Sequence, residues 1–70
     1  MNTRALRGEI IENGYTIKEF SAVIGMKPGT LYKKMRQYTE FTRDEIETMI
    51  SILNLSPERV MNIFFADKVS

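Results

Sequence analysis

Between residues 26 and 38 the chain carries four positive side chains, Lys27, Lys33, Lys34 and Arg36, and no negative one. Thr30, Tyr32 and Tyr38 add hydroxyl groups to the same stretch. On a helix turning about 100° per residue, Lys34, Met35 and Tyr38 fall within about 60° of Leu31. Gly29, Lys33 and Arg36 fall on the opposite side, and Thr30 and Tyr32 lie on the flanks. Such a helix has an apolar back and a basic, hydrogen-bonding front. The chemistry of that front is recognition of an anion.

Bond-making chemistry has little to work with. The chain contains no Cys and no His. That removes thiolate nucleophiles, disulfides, zinc-thiolate sites and the common triads and transition-metal ligand sets. No nucleophile–base pair and no phosphate loop is visible, so no catalytic residue, metal site or cofactor is expected. The acids around residues 40–47 sit where a helix starts, and Glu40, Asp44 and Glu45 are read as capping it.

The positive stretch hides inside a nearly neutral total. Ten Lys and Arg against nine Asp and Glu give a formal charge of +1. Residues 1–38 hold seven of the cations against three Glu, a net +4; residues 39–70 hold three against six acids, a net −3. One side of the molecule therefore suits an anionic partner, and the other is expected to point away from it. The bland alternative is a basic but merely solvated face.

Seventy residues, 43% of them hydrophobic, allow one small core and one domain, residues 1–70. No apolar run approaches the ~18 residues of a membrane span. The first nine residues lack the apolar stretch of a signal peptide, so a cytoplasmic protein is expected.

Five helices must position the front, and no segment alternates like a strand. The first is expected over about 3–13, with Leu6, Ile10 and Ile11 inward and Gly14 closing it. Thr16 and Glu19 form a capping box with Tyr15 and Phe20 as its staple, so a second helix starts at 17 and runs to about 24. Its apolar side is Phe20, Val23 and Ile24, and Gly25 ends it. Pro28 suits the first position of a third helix over about 28–37. Thr42 and Glu45, stapled by Phe41 and Ile46, repeat the capping box before a fourth helix over about 43–54. Ile46, Met49, Ile50 and Leu53 give its apolar face, and Asn54 closes it. Ser56 and Pro57 open a fifth helix over about 57–65 with Val60, Ile63 and Phe64 inward. Met26, Met35, Met49 and Met61 are expected as core fillers, and residues 67–70 as a frayed tail.

Two short helices at 17–24 and 28–37, joined by a bend at Gly25, have the spacing of a helix-turn-helix. Small Ser21 precedes the bend by four residues and Leu31 follows it by six. The run Thr16-Ile17-Lys18-Glu19-Phe20-Ser21-Ala22-Val23-Ile24-Gly25 through Tyr32 resembles the helix-turn-helix core of the Cro/C1-type (XRE) family, which includes small phage and prophage Cro-like regulators. Phe41-Thr42-Arg43-Asp44-Glu45-Ile46 is similar to the start of that family's fourth helix, and Leu53-Asn54-Leu55 with Ser56-Pro57 to its junction with the fifth. The resemblance covers about residues 4–65.

The resemblance implies an all-α, five-helix, lambda-repressor-like domain. It implies a transcription regulator that inserts its third helix into the major groove of double-stranded operator DNA, usually as a homodimer. By position, Lys27, Gly29, Thr30 and Lys33 would read bases, and Thr16 and Ile17 would meet a phosphate at the start of the second helix. Lys33 can donate to guanine O6 and N7, or stand as a solvated lysine or phosphate contact. Arg36 would meet phosphate in preference to a base, and Tyr32 would meet phosphate or instead cover the edge of the core. Lys34 and Lys27 are read as charges neutralising the DNA backbone. Phe64 is favoured as the inward member of the pair Phe64-Phe65, which leaves Phe65 exposed at the helix end or held in a dimer. Pro28-Gly29 stands where the family carries polar base readers. That keeps a second function in view: a module that binds another phage regulator through the same fold.

Overall fold

The computed structural model describes residues 1–66; the tail expected at 67–70 lies outside them. Five helices follow one another: α1 (Thr3–Glu12), α2 (Ile17–Val23), α3 (Pro28–Met35), α4 (Arg43–Leu53) and α5 (Pro57–Phe64). No strand occurs among the described residues.

Four of the five starts are spelled by a side-chain cap. Asn2 accepts the Ala5 N–H at 3.1 Å. Thr16 and Thr42 make reciprocal capping boxes with Glu19 and Glu45. Ser56 accepts the Arg59 N–H ahead of Pro57. Only α3 starts without a side-chain cap, behind Lys27 and Pro28.

The ends come one or two residues earlier than the periodicity predicts. The chain leaves four of the helices through a left-handed residue: Gly14 at φ +86° and Gly25 at φ +73°, but Gln37 at φ +66° and Asn54 at φ +51°. At each, the following N–H reaches back to close the helix, as Met26 N–H does to the Ser21 carbonyl at 2.8 Å and Tyr38 N–H to the Lys33 carbonyl at 3.0 Å. Because α3 stops at Met35, Arg36 becomes its C-cap. Tyr38, expected on the apolar back, stands 75% exposed beyond the reversal.

The core draws on every helix: Leu6 and Ile10, Phe20, Leu31 and Met35, Met49 and Leu53, and Ile63. Tyr15 stacks obliquely on Phe20 with centroids 5.7 Å apart, the expected staple. Phe64 is half-buried and meets Phe41 edge to face at 6.4 Å. Three inward assignments are corrected. Ile11 is 59% exposed, and Val23 and Met61 are also exposed. Ile11 and Val23 each sit at the edge of their apolar arc, and a domain this small lacks the area to cover both edges.

α1 packs on α2 and α5, and α2 packs on α3. Ser21 is wholly buried and donates its hydroxyl to the Lys18 carbonyl at 2.6 Å. The radius of gyration, 11.1 Å, is that of a compact chain of this length, about 11 Å. No helix among the described residues is long and apolar enough to cross a membrane.

Candidate nucleic-acid interface

The outward face of α3 is set by what its other face buries. Leu31 and Met35 lie in the core one turn apart. The side chains between them are therefore turned out, and Gly29, Thr30, Tyr32 and Lys33 are exposed, with Lys27 just before the helix and Arg36 just after it. None of Lys27, Lys33 and Arg36 takes an ion-pair partner among the described residues. Three cations and two hydroxyls are thus exposed along α3 and at its two ends, with Lys33 and Arg36 opposite the core and Thr30 and Tyr32 on either flank.

Lys34 is the exception: the side chain read as a charge for the DNA backbone is ion-paired within the chain. Its ammonium donates to both carboxylate oxygens of Glu45, at 2.6 and 2.8 Å. The Lys34 side chain is only 12% exposed. Partial burial pushes the Glu45 carboxyl up, but the Lys34 ammonium and the Thr42 N–H together hold it below the usual carboxylate range. This pair ties the last turn of α3 to the first turn of α4. Beside the carboxylate the two charges offset each other, so the pair exerts little net attraction on a phosphate.

The end of α3 is held from a second side. The Thr3 hydroxyl of α1 donates to the Met35 carbonyl at 2.7 Å, which satisfies an acceptor left over at the helix end. The Asn2 N–H donates to the Ile63 carbonyl of α5, also at 2.7 Å. The first residues of the chain therefore bind the ends of both α3 and α5. These contacts escaped the sequence reading because they join residues far apart, and no local pattern marks them. The same holds for the Arg59–Glu9 bridge at 2.9 Å between α5 and α1.

At the start of α2, Thr16 gives its N–H to the Glu19 carboxylate at 2.9 Å and accepts the Glu19 N–H at 3.0 Å. The Thr16 N–H, in particular, holds the Glu19 carboxyl below its ordinary range. The amide of Thr16 is therefore engaged, and its hydroxyl hydrogen is what it can offer an anion. Ile17 packs against the core, so its contribution there is backbone rather than side chain. Lys18, exposed in the first turn of α2, is a cation at this corner that the resemblance did not single out.

Phe65 is half-buried and borders two grooves beside α4 and α5. Among the described residues no group of three or more His, Cys, Asp or Glu is placed to hold a metal ion. No family model, curated protein or solved structure matches the chain.

Proposed function

We propose that the chain is a sequence-specific DNA-binding transcription regulator. In this reading α2 and α3 act as a helix-turn-helix and α3 enters the major groove of double-stranded DNA. The observation that carries it is a division of labour on α3 and at its ends: the inward Lys34 is neutralised by Glu45, while Lys27, Lys33 and Arg36 are exposed and take no ion-pair partner among the described residues.

The dimensions agree. Eight residues make a helix about 12 Å long, enough to face three or four base pairs in a groove about 12 Å wide. Pro28 and Gly29 open the helix with no hydrogen-bonding side chain, so side-chain readout falls to Thr30 and Lys33. Lys33 donates to a guanine edge, and Arg36 and Lys27 neutralise phosphates. The bare first turn lets the backbone approach the groove edge closely.

Selection of bound sequences from random DNA, followed by titration at several salt concentrations, tests the reading. A recovered consensus is expected, with log affinity falling by about 0.9 per phosphate contact for each decade of salt. Arg36→Ala should lower that slope by one contact, and Lys33→Ala should relax the consensus at one position. Absence of any sequence preference at every salt concentration overturns it. Capture of a second regulator that survives both substitutions would favour the protein-interaction reading instead.

A further inference from the structure

The last four carbonyls of α3 all find donors, and one donor comes from far away in the chain. The N–H groups of Arg36, Tyr38 and Gln37 reach the carbonyls of Tyr32, Lys33 and Lys34 at 2.9, 3.0 and 3.0 Å. The Met35 carbonyl takes its bond at 2.7 Å from the Thr3 hydroxyl, 32 residues earlier. Thr3 is half-buried, so this bond is partly shielded from water and the stronger for it. Thr3 is itself fixed in place. It opens α1 behind the Asn2 cap, and the Asn2 N–H is anchored on the Ile63 carbonyl of α5. A hydrogen-bonded path therefore runs from α5, through the start of α1, to the end of α3.

That end gains from an outside hold. Its reversal passes through Gln37 at φ +66°, left-handed backbone for which a glutamine is poorly suited. Two side-chain grips meet there: Lys34 on Glu45 of α4, and Thr3 of α1 on Met35. Lys33 precedes Lys34 and Arg36 follows Met35, so two exposed cations stand directly beside the held residues. One grip leaves a short helix free to turn about its axis, whereas two from different helices do not. A turn of about 20° carries a side-chain tip, on a radius of about 5–6 Å, through about 2 Å. That exceeds the ~0.5 Å range of a good hydrogen bond.

We propose that Thr3 is a positioning residue: its hydroxyl, acting from α1, sets the orientation of α3 and with it the aim of Lys33 and Arg36. Thr3 acts through Met35 and touches no ligand itself. The consequence for recognition rests on the DNA-binding reading; the hold on α3 does not. Loss of the hold leaves every charge in place, so attraction to phosphates in general survives. Readout of base edges depends on aim and does not survive.

Two variants of the full chain test this. Thr3→Val keeps the branching and size and removes the hydroxyl; Thr3→Ser keeps the hydroxyl. Amide hydrogen exchange of the free protein comes first. In Thr3→Val the Gln37 and Tyr38 amides, which close α3, should exchange about three- to tenfold faster, the weight of one hydrogen bond. The Met26 and Leu55 amides, which close α2 and α4, should not change, and Thr3→Ser should stay near wild type. DNA binding comes second. Thr3→Val should lower the ratio of affinity for a selected sequence to affinity for random DNA by about tenfold at fixed salt, and Thr3→Ser should restore it. Unchanged exchange at Gln37 and Tyr38 overturns the proposal. So does a Thr3→Ser variant that behaves like Thr3→Val, or faster exchange with the affinity ratio intact. A wild type with no sequence preference defeats the DNA-binding reading alone, and the exchange contrast still decides whether Thr3 holds α3.

Discussion

Helices α2 and α4 begin with the same device and end up under different constraints. Thr16 and Thr42 adopt nearly the same backbone, φ −79°, ψ 164° and φ −75°, ψ 162°. Both accept the N–H of a glutamate three residues on, and both donate their own N–H to its carboxylate. At α2 that is the whole interaction, exposed to water. At α4 the same carboxylate also receives both bonds from Lys34. A capping box sets where a helix starts. Whether it also holds one helix against another depends on what the rest of the chain brings to the glutamate. Here it brings the last turn of α3, the helix with the free cationic face, and fixes that face relative to α4.

The largest expected effect removes the shared glutamate. Glu45→Ala should destabilise the fold by about 2–4 kcal/mol, because it loses half a cap and leaves a largely buried ammonium without its partner. Glu19→Ala should produce a much smaller loss. Urea unfolding of the two variants measures the contrast directly. Equal losses would mean that the Lys34 bonds add nothing to the box. Lys34→Met should cost less than Glu45→Ala, since its chain covers the same core edge and Thr42 still satisfies the carboxylate.

The ends of the two helices differ as well. α2 leaves through Gly25 at φ +73°, and α4 through Asn54 at φ +51°. Gly25→Ala should cost about 1–2 kcal/mol, the penalty of a Cβ in left-handed backbone. An added Cβ there meets nothing within 4 Å, so the cost is conformational and no neighbour need move. A thermal melt unchanged by Gly25→Ala would refute the strain argument.

These contrasts mark what the sequence discloses. Thr16, Thr42, Ser56 and Pro57 announce their helices because capping is local, confined to four residues. Gly14 and Gly25 announce reversals because glycine has few other reasons to stand there. Gln37 gives no such signal, since nothing in a glutamine asks for φ +66°. The third helix therefore reads two residues too long, and Tyr38 lands on the wrong face. The exposure of Gly29, Thr30, Lys33 and Arg36 follows from helical spacing alone. Which of two adjacent lysines is spent on structure does not, because Glu45 lies eleven residues from Lys34. The Thr3 contact with Met35 spans 32 residues and Arg59 with Glu9 spans 50; both are products of the completed packing.

Acid should erase the difference between the two glutamates. Both carboxyls titrate below their ordinary value in the folded chain, Glu19 through Thr16 and Glu45, despite partial burial, through Lys34 and Thr42. A depressed folded-state pKa means the unfolded chain binds more protons near and below about pH 4.3. The stabilisation is therefore complete above that value and is lost as the pH falls through the folded-state pKa. The gap in stability between wild type and Glu45→Gln should be wide at neutral pH and narrow in acid. The gap for Glu19→Gln should be small throughout. A Glu45→Gln gap that stays constant down to acid pH would show that the Lys34 pair carries no charge-dependent stability.

The smallest expected effect concerns the end of α4. Asparagine tolerates the left-handed region better than other non-glycine residues, because its short amide can bond locally. Asn54→Gly therefore has little strain to relieve, and it adds backbone freedom to the unfolded chain. The two terms oppose each other, so stability should move by no more than a few tenths of a kcal/mol. Gln37→Gly has the same entropic cost but relieves a residue with no such tolerance, and should stabilise by up to about 1 kcal/mol. Measured side by side by urea unfolding, the pair separates strain from entropy at the two non-glycine reversals. If Asn54→Gly stabilised as much as Gln37→Gly, the asparagine would be as strained as the glutamine. The ends of α2 and α4 would then differ in strain as well as in residue type.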